Sequence, residues 1–399
     1  MEGPVVLIAD RAAYLDAVAS IAAGHGPVAV DAERASGFRY SQRAYLVQVF
    51  RRGSGTYLFD PPAVGDFSEL QAAIGDEEWI LHAASQDLAC LREIGLDPTT
   101  IFDTELAARL LGLPRVGLAA VVERLLGLHL AKEHSAADWS TRPLPSSWLD
   151  YAALDVQLLP DLRDEVMRLI EEQGKQRIAS EEFDAVLRRE LPLVRSEPWR
   201  RLSGVHSIRG ARGLAVAREL WTARDDLART LDVSPGRLVP DGSLVAAARA
   251  MPKTKRDLAA MRDFSGRASR SELDRWWAAV ERGLLTDDLP QTRVPGDSIP
   301  PPRSWSDRNP DADRRLKAAR TALADVAETI DMPMENLLTP DTLRRLAWQP
   351  PEEPTTESVS AVLAEFGSRP WQIEATAQRI AEAFVAAHQA ADEPAEPAS

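Results

Sequence analysis

Strand-forming runs occur only in the first half of this chain, and that one-sidedness restricts the fold more than any other feature. Val28, Val30 and their neighbours make a short apolar run that ends in Asp31. Tyr45-Leu46-Val47-Gln48-Val49-Phe50 is a second run, followed after Arg51 to Gly55 by Thr56-Tyr57-Leu58-Phe59. Gly53 and Gly55 permit the turn between them, so the pair reads as a hairpin. Trp79-Ile80-Leu81-His82 is a further short strand, and helical patterns follow at about 86–94, 104–112, 117–127 and 147–172. The last opens after Pro145-Ser146-Ser147, a plausible cap, and Pro160 should kink or divide it because proline lacks the amide hydrogen. Beyond residue 190 the strand signal disappears and Leu-Ala-Arg periodicity takes over, which means helices.

The helical part repeats itself. Leu220, Arg224, Leu227-Ala228, Leu231-Asp232-Val233, Pro240-Asp241 and Leu244 are echoed by Leu316, Arg320, Leu323-Ala324, Ile330-Asp331-Met332, Pro340-Asp341 and Leu343, at an offset that drifts from 96 to 100. Two copies of one small helical domain account for this. The expected division is an α/β domain over 1–195, a first helical domain over 210–288, a Pro/Ser/Asp-rich linker over 289–309, a second helical domain over 310–388 and a disordered tail over 389–399.

A net charge of −14 argues at first against a nucleic-acid partner. The charge is uneven: residues 1–200 carry −11, residues 201–300 carry +4 and residues 301–399 carry −7. The middle hundred is the basic stretch, and its cations are nearly all arginine, which suits bidentate phosphate contacts; a GC-rich coding bias is the bland alternative. A single cysteine, Cys90, excludes an intramolecular disulfide and fits a reducing, cytoplasmic compartment. No secretory signal is expected from the N-terminal residues, and no apolar run is long enough to cross a membrane. No Gly-x-x-x-x-Gly-Lys-Ser/Thr loop occurs, so no nucleotide cofactor or motor activity is expected.

Four carboxylates and a tyrosine stand where these elements meet. Asp31 and Glu33 are two apart at a strand end and point to one face. Crowded carboxylates repel, and a hard divalent cation such as Mg²⁺ or Mn²⁺ offsets that cost. Asp87 falls in the first turn of a helix, with Ser85 as its expected cap; the helix dipole also explains an acid there. Tyr151 and Asp155 are i, i+4 on one helical face. Taken singly, each is more often a solvated or packed side chain than a ligand.

Their order changes the reading. Val30-Asp31-Ala32-Glu33 with Tyr45-Leu46-Val47-Gln48, then His82-Ala83-Ala84-Ser85-Gln86-Asp87-Leu88, then Lys132, Asp138-Trp139-Ser140 and Arg142-Pro143-Leu144, then Tyr151-Ala152-Ala153-Leu154-Asp155 resemble the tyrosine subclass of the DEDD exonucleases, and the ribonuclease D family most closely. Ala32 stands where threonine is common; its side chain alternates away from the carboxylates. The two helical repeats resemble HRDC domains, the second more weakly. The resemblance implies a ribonuclease H-like α/β exonuclease domain, a mixed central sheet flanked by helices, followed by two all-α HRDC domains.

It further implies a 3′→5′ exoribonuclease that uses two divalent metal ions, Mg²⁺ or Mn²⁺. Asp31, Glu33 and Asp155 would hold the first, and Asp31 would bridge to the second with Asp87 helping through water, the pair about 3.5–4 Å apart. Tyr151 would orient the attacking water, and nucleoside 5′-monophosphates would leave. RNA 3′ ends, transfer-RNA precursors among them, are the implied partner, with the chain acting as a monomer. Gln48, His82, Lys132 and Arg142 are candidate substrate contacts, as are Lys253, Lys255 and Arg256 in the basic stretch. Structural roles stay open for His82, Lys132 and Arg142. Trp276 and Trp277 are either core or base-stacking residues. A DNA exonuclease of Werner type, a silent RNA-binding scaffold and a helicase accessory module remain as alternatives.

Overall fold

The structure is a computed structural model, and it describes residues 7–130, 136–189, 197–292 and 299–392. Six strands form one mixed sheet: β1 (Leu7–Ile8), β2 (His25–Arg34), β3 (Ala44–Arg52), β4 (Gly55–Phe59), β5 (Glu78–Leu81) and β6 (Thr100–Asp103), in the order β1-β4-β3-β2-β5-β6. Only β3 runs against its neighbours. The hairpin between β3 and β4 turns on Gly53 (φ 82°) and Gly55 (φ 98°), a left-handed conformation that side chains resist. β1 and β6 were not foreseen; β1 has only two residues, and β6 (Thr-Ile-Phe-Asp) has only two apolar residues between polar ends.

Helix Ser146–Gln157 lies across β2, β3 and β4. It closes a small apolar cluster in which Trp139 and Ala152 are fully buried beside Tyr45, Leu58 and Ala153. Helix Leu159–Glu172 begins immediately after it, with Pro160 in its first turn, so the long helical pattern is divided where the proline predicted. The expected serine cap is absent: Pro145 holds the N-cap position and Ser146 is already helical.

The two helical units follow one plan. Each opens on a long helix, Gly210–Leu231 or Pro310–Thr329, then makes a one-turn helix, Pro235–Leu238 or Met334–Leu337, and closes on another long helix, Leu273–Leu285 or Pro370–Asp392. The turn after the opening helix places Asp232 and Asp331 both at φ 48°. Trp276 is completely buried, with its indole N–H donating to the Ala268 carbonyl at 2.9 Å, so it is a core residue; Trp277 is partly buried against the same core.

Their cores differ. The first unit has its own apolar cluster around Leu220, Phe264 and Trp276. Among the described residues the second has none to itself: Trp305, Leu323, Trp371 and Phe384 belong to the same continuous cluster as the exonuclease core. Lys175 donates to the Leu110 carbonyl at 2.7 Å and to the Asp331 carbonyl at 2.9 Å, and Glu182 is buried between Arg369 and the Trp371 indole. The expected linker is also shorter than its composition implied. Pro302–Ser304 and Trp305–Arg308 are helical, Trp305 is fully buried, and its indole N–H donates to the Pro300 carbonyl at 2.6 Å. The last helix continues to Asp392, into the segment expected to be a disordered tail; 393–399 lie outside the described residues.

Candidate active site

β2 delivers the first pair of carboxylates. Asp31 and Glu33 share a face, and Ala32 between them is 6% exposed and packs into the core on the other side. Helix Ser146–Gln157 brings Asp155 over them, with the Tyr151 hydroxyl, one turn earlier, hydrogen-bonding its carboxylate. Oxygens of Asp31, Glu33 and Asp155 all lie within 4.8 Å of one another. Asp87 stands beside this trio, buried, with the Arg34 guanidinium 3.7 Å from its Oδ1. All five residues line one cleft of about 600 Å³.

Such a cluster is costly without a counter-charge. Burial, then the neighbouring charges of Asp31, Asp155 and Asp87, push Glu33 up to about 10. Burial, then Asp31, push Asp155 up to about 8, although Tyr151 holds it back. Burial raises Asp31 and Asp87 as well. Hard oxygen ligands at this spacing fit a divalent cation, which removes the repulsion. The same field raises Tyr151, burial first and Asp155 second, so its hydroxyl keeps its proton.

Three features that position the site escaped the sequence reading. Arg34 follows Glu33 and should alternate away, but the β2–β3 register shifts between Glu33 and Arg34, and such an irregularity re-aims a side chain. Asp103, at the end of β6, accepts from the amides of Ala83 and Ala84 at 2.9 Å each, and from Glu105 and Leu106 at 3.0 and 3.1 Å. It therefore caps helix Thr104–Leu110 and fixes the turn, with Ala83 at φ 66°, that carries Asp87. Its signal was the Asp-Thr-Glu-Leu run at a helix start. Asp87 itself sits at the N-cap position of Leu88–Glu93, after a 3₁₀ turn over Ala84–Gln86 that contains Ser85; Ser85 caps nothing.

The expected substrate contacts fare unevenly. Gln48 is completely buried opposite Asp31 in the β2–β3 register, so it cannot reach RNA; its amide has no partner among the described residues. Arg142 takes the structural role that was left open for it beside phosphate contact. All five of its N–H groups are committed: Nε and Nη2 to Asp60 at 2.7 and 2.8 Å, Nη1 to the Trp139 and Thr141 carbonyls at 2.8 Å each, and Nη2 to the Tyr45 carbonyl at 2.8 Å. His82 does line the cleft, with Nδ1 2.9 Å from Thr104 Oγ1. Burial pushes its pKa down to about 4, so it is neutral at physiological pH. Lys132 lies outside the described residues. Lys253, Lys255 and Arg256 are exposed on the first helical unit and do not line the cleft; Lys255 pairs with Asp274.

Residues 6–171 match the family described as 3′–5′ exonuclease, 213–280 the HRDC domain, and 298–384 the family described as 3′ to 5′ exonuclease C-terminal domain. Ribonuclease D of Pseudomonas paraeruginosa is 31% identical over 315 residues, covering 76% of this chain and 79% of that protein. The chain belongs to the ribonuclease D family. Ribonuclease D of Escherichia coli is 30% identical over 307 residues, with the same coverages. Its crystal structure, described as that of an exoribonuclease involved in structured RNA processing, superposes with a TM-score of 0.69 at 27% identity, over 92% of this chain and all of that one. A protein from Bifidobacterium adolescentis superposes with a TM-score of 0.87 at 38% identity over 96% and 97% of the two chains. The ribonuclease D architecture thus spans the helical units as well as the sheet. No helix among the described residues is long and apolar enough to cross a membrane.

Proposed function

We propose that this ribonuclease D-family exonuclease shortens RNA from the 3′ end, with transfer-RNA precursors as substrates, in the cytoplasm and as a monomer. The observation that carries the reading is the Asp31–Glu33–Asp155 cluster, its oxygens within 4.8 Å, beside Tyr151 in an open cleft. Asp31, Glu33 and Asp155 would hold one divalent ion, and Asp31 with Asp87 a second. When bound, such ions supply the charge that stabilises the attacking and leaving oxygens of an in-line displacement.

The chain's own groups do the positioning. Tyr151, its proton retained, donates to Asp155 and would orient a water at the scissile phosphodiester. Arg34 offsets part of the carboxylate charge and holds Asp87. His82, neutral and held by Thr104, shapes the cleft without transferring a proton. Nucleoside 5′-monophosphates are the products. Lys253 and Arg256 on the first HRDC unit hold RNA further from the cut.

The test offers matched 5′-labelled RNA and DNA strands with Mg²⁺ or Mn²⁺ to the full chain and to Asp155→Ala. Stepwise shortening of RNA by the native protein, lost in Asp155→Ala, is expected. Shortening that survives the substitution overturns the site, and equal or better shortening of DNA overturns the substrate.

A further inference from the structure

The loop between β2 and β3 forms one wall of the catalytic cleft through Ser36, Gly37 and Phe38. It leaves β2 directly after Glu33 and Arg34, so its position and that of the carboxylates are linked by the chain. Its own internal ties are few and local: the Phe38 and Arg39 amides donate to the Ala35 carbonyl, and Ser36 donates to Gln42.

The exonuclease domain holds it at one side, where Nε of Arg39 donates to the Ser140 hydroxyl at 2.7 Å and Phe38 packs against the Tyr45–Trp139 cluster; the tip is held by the first HRDC unit. Nε of Arg237 donates to the Gly37 carbonyl at 2.7 Å, and the Ser234 amide donates to the Phe38 carbonyl at 2.9 Å. The Arg237 guanidinium also lies over the Phe38 ring, 3.9 Å from its centroid. Just beyond, Asp232 accepts from the Ser41 amide at 2.8 Å and from the Tyr45 hydroxyl at 3.2 Å. All three anchors belong to the turn and one-turn helix, Asp232 to Leu238, that follow the opening helix of the first HRDC unit. Two consecutive carbonyls of the wall are therefore held by that unit, and its one aromatic side chain is covered by the unit's arginine.

We propose that the first HRDC unit supports the catalytic cleft from behind its wall: Arg237, with Asp232 beside it, is a positioning residue that holds Phe38 as a stacking surface for a base near the RNA 3′ end. Aromatic faces stack any base, which suits an exonuclease that must accept all four. A planar guanidinium can donate in its plane and stack on a ring with its face, whereas an ammonium does only the first. The role is distinct from phosphate binding by exposed cations of the same unit, because its effect does not depend on RNA reaching beyond the cleft.

Substrate length separates the two. The inference rests on the cleft being the hydrolytic site, and Asp155→Ala on the same substrates tests that premise separately. With the full-length protein, steady-state kinetics are measured on a dinucleotide or trinucleotide RNA, too short to extend past the cleft, and on a long single strand. Arg237→Ala and Phe38→Ala should each raise KM on the short RNA about tenfold or more, with a smaller change in kcat. Arg237→Lys should recover part of the loss, and Phe38→Tyr most of it. The double variant should be little worse than either single one, because both remove the same surface. Short-RNA kinetics within twofold of the native protein for Arg237→Ala would overturn the proposal. So would a loss confined to the long strand, which would make Arg237 a distal phosphate contact. If Arg237→Ala melts below the assay temperature, Arg237→Lys and Phe38→Tyr, compared on the short RNA, decide the matter alone.

Discussion

Replacing Glu33 by glutamine should destroy activity and yet stabilise the metal-free protein. Glu33 is pushed up to about 10 from an ordinary 4.5, burial first and Asp31 next. A carboxyl that ionises in the unfolded chain but holds its proton when folded favours unfolding once the pH exceeds its unfolded value. The stability is complete below about pH 4.5 and is lost progressively as the pH rises towards 10. At neutral pH the gap spans about 2.5 units at 1.36 kcal/mol each, roughly 3 kcal/mol. The cleft is open to water, so about 1–2 kcal/mol is the working figure. Glutamine keeps the shape without the charge. In EDTA, Glu33→Gln should therefore melt a few degrees above the native protein, by a margin that widens from about pH 5 to pH 8. Millimolar Mg²⁺ should raise the native melting temperature and close the gap. A Glu33→Gln protein that melts at or below the native one in EDTA at neutral pH would refute the reasoning, since the cluster would then not be strained.

Other consequences are equally open to measurement. Arg142→Lys replaces five donors by three and cannot grip Asp60 bidentately, so chemical denaturation should show a loss of about 2–3 kcal/mol while the salt dependence of RNA binding stays unchanged. Asp103→Ala frees the Ala83 and Ala84 amides and the turn that carries Asp87; kcat should fall about 10- to 100-fold with little change in KM, a range typical when a group orienting metal ligands is removed. Because His82 is already neutral well below physiological pH, it should contribute no titration to the kcat profile between about pH 6 and 8, and His82→Gln should leave the shape of that profile unaltered. Neutralising Lys253 and Arg256 together should weaken RNA binding and flatten its salt dependence by about 0.7 per lost phosphate contact, whereas unchanged salt dependence would place the RNA elsewhere.

The division into a sheet followed by helices, the β3–β4 hairpin and the break at Pro160 were legible because each depends on nearby residues. Asp31, Glu33, Tyr151 and Asp155 were legible as same-face pairs for a similar reason, two apart on a strand and four apart on a helix. Most of the errors concern what a side chain meets at long range, and the rest concern local irregularities. Arg142 could not be decided between phosphate contact and a structural ion pair because its acceptors on Asp60 and Tyr45 are 82 and 97 residues away. Gln48 read as a contact on the resemblance of its motif, which does not show whether the side chain is covered; it is fully buried. Arg34 was overlooked because a local register shift reverses the alternation. Trp305 was hidden inside a proline-rich composition that normally marks a linker, and its burial depends on a helix surface supplied by Trp348. Amphipathic patterning showed that the last helices have apolar faces, but not that the exonuclease core is what covers them.

That shared core imposes an order on synthesis. Glu182 meets the Trp371 indole, a partner 189 residues further along the chain. At about 5–20 residues per second, roughly 10–40 s separate their emergence from the ribosome. The carboxylates of the site, complete by Asp155, and the turn that steadies the cleft wall, complete by Val239, both emerge during or before that interval. The apolar flank behind helix Gln176–Leu187 waits for its cover until the chain is nearly finished. An arrest after residue 300 should therefore leave a nascent chain with the site residues present and a sticky back, a client for chaperones, and release of the last helix should be the event that makes the nuclease soluble.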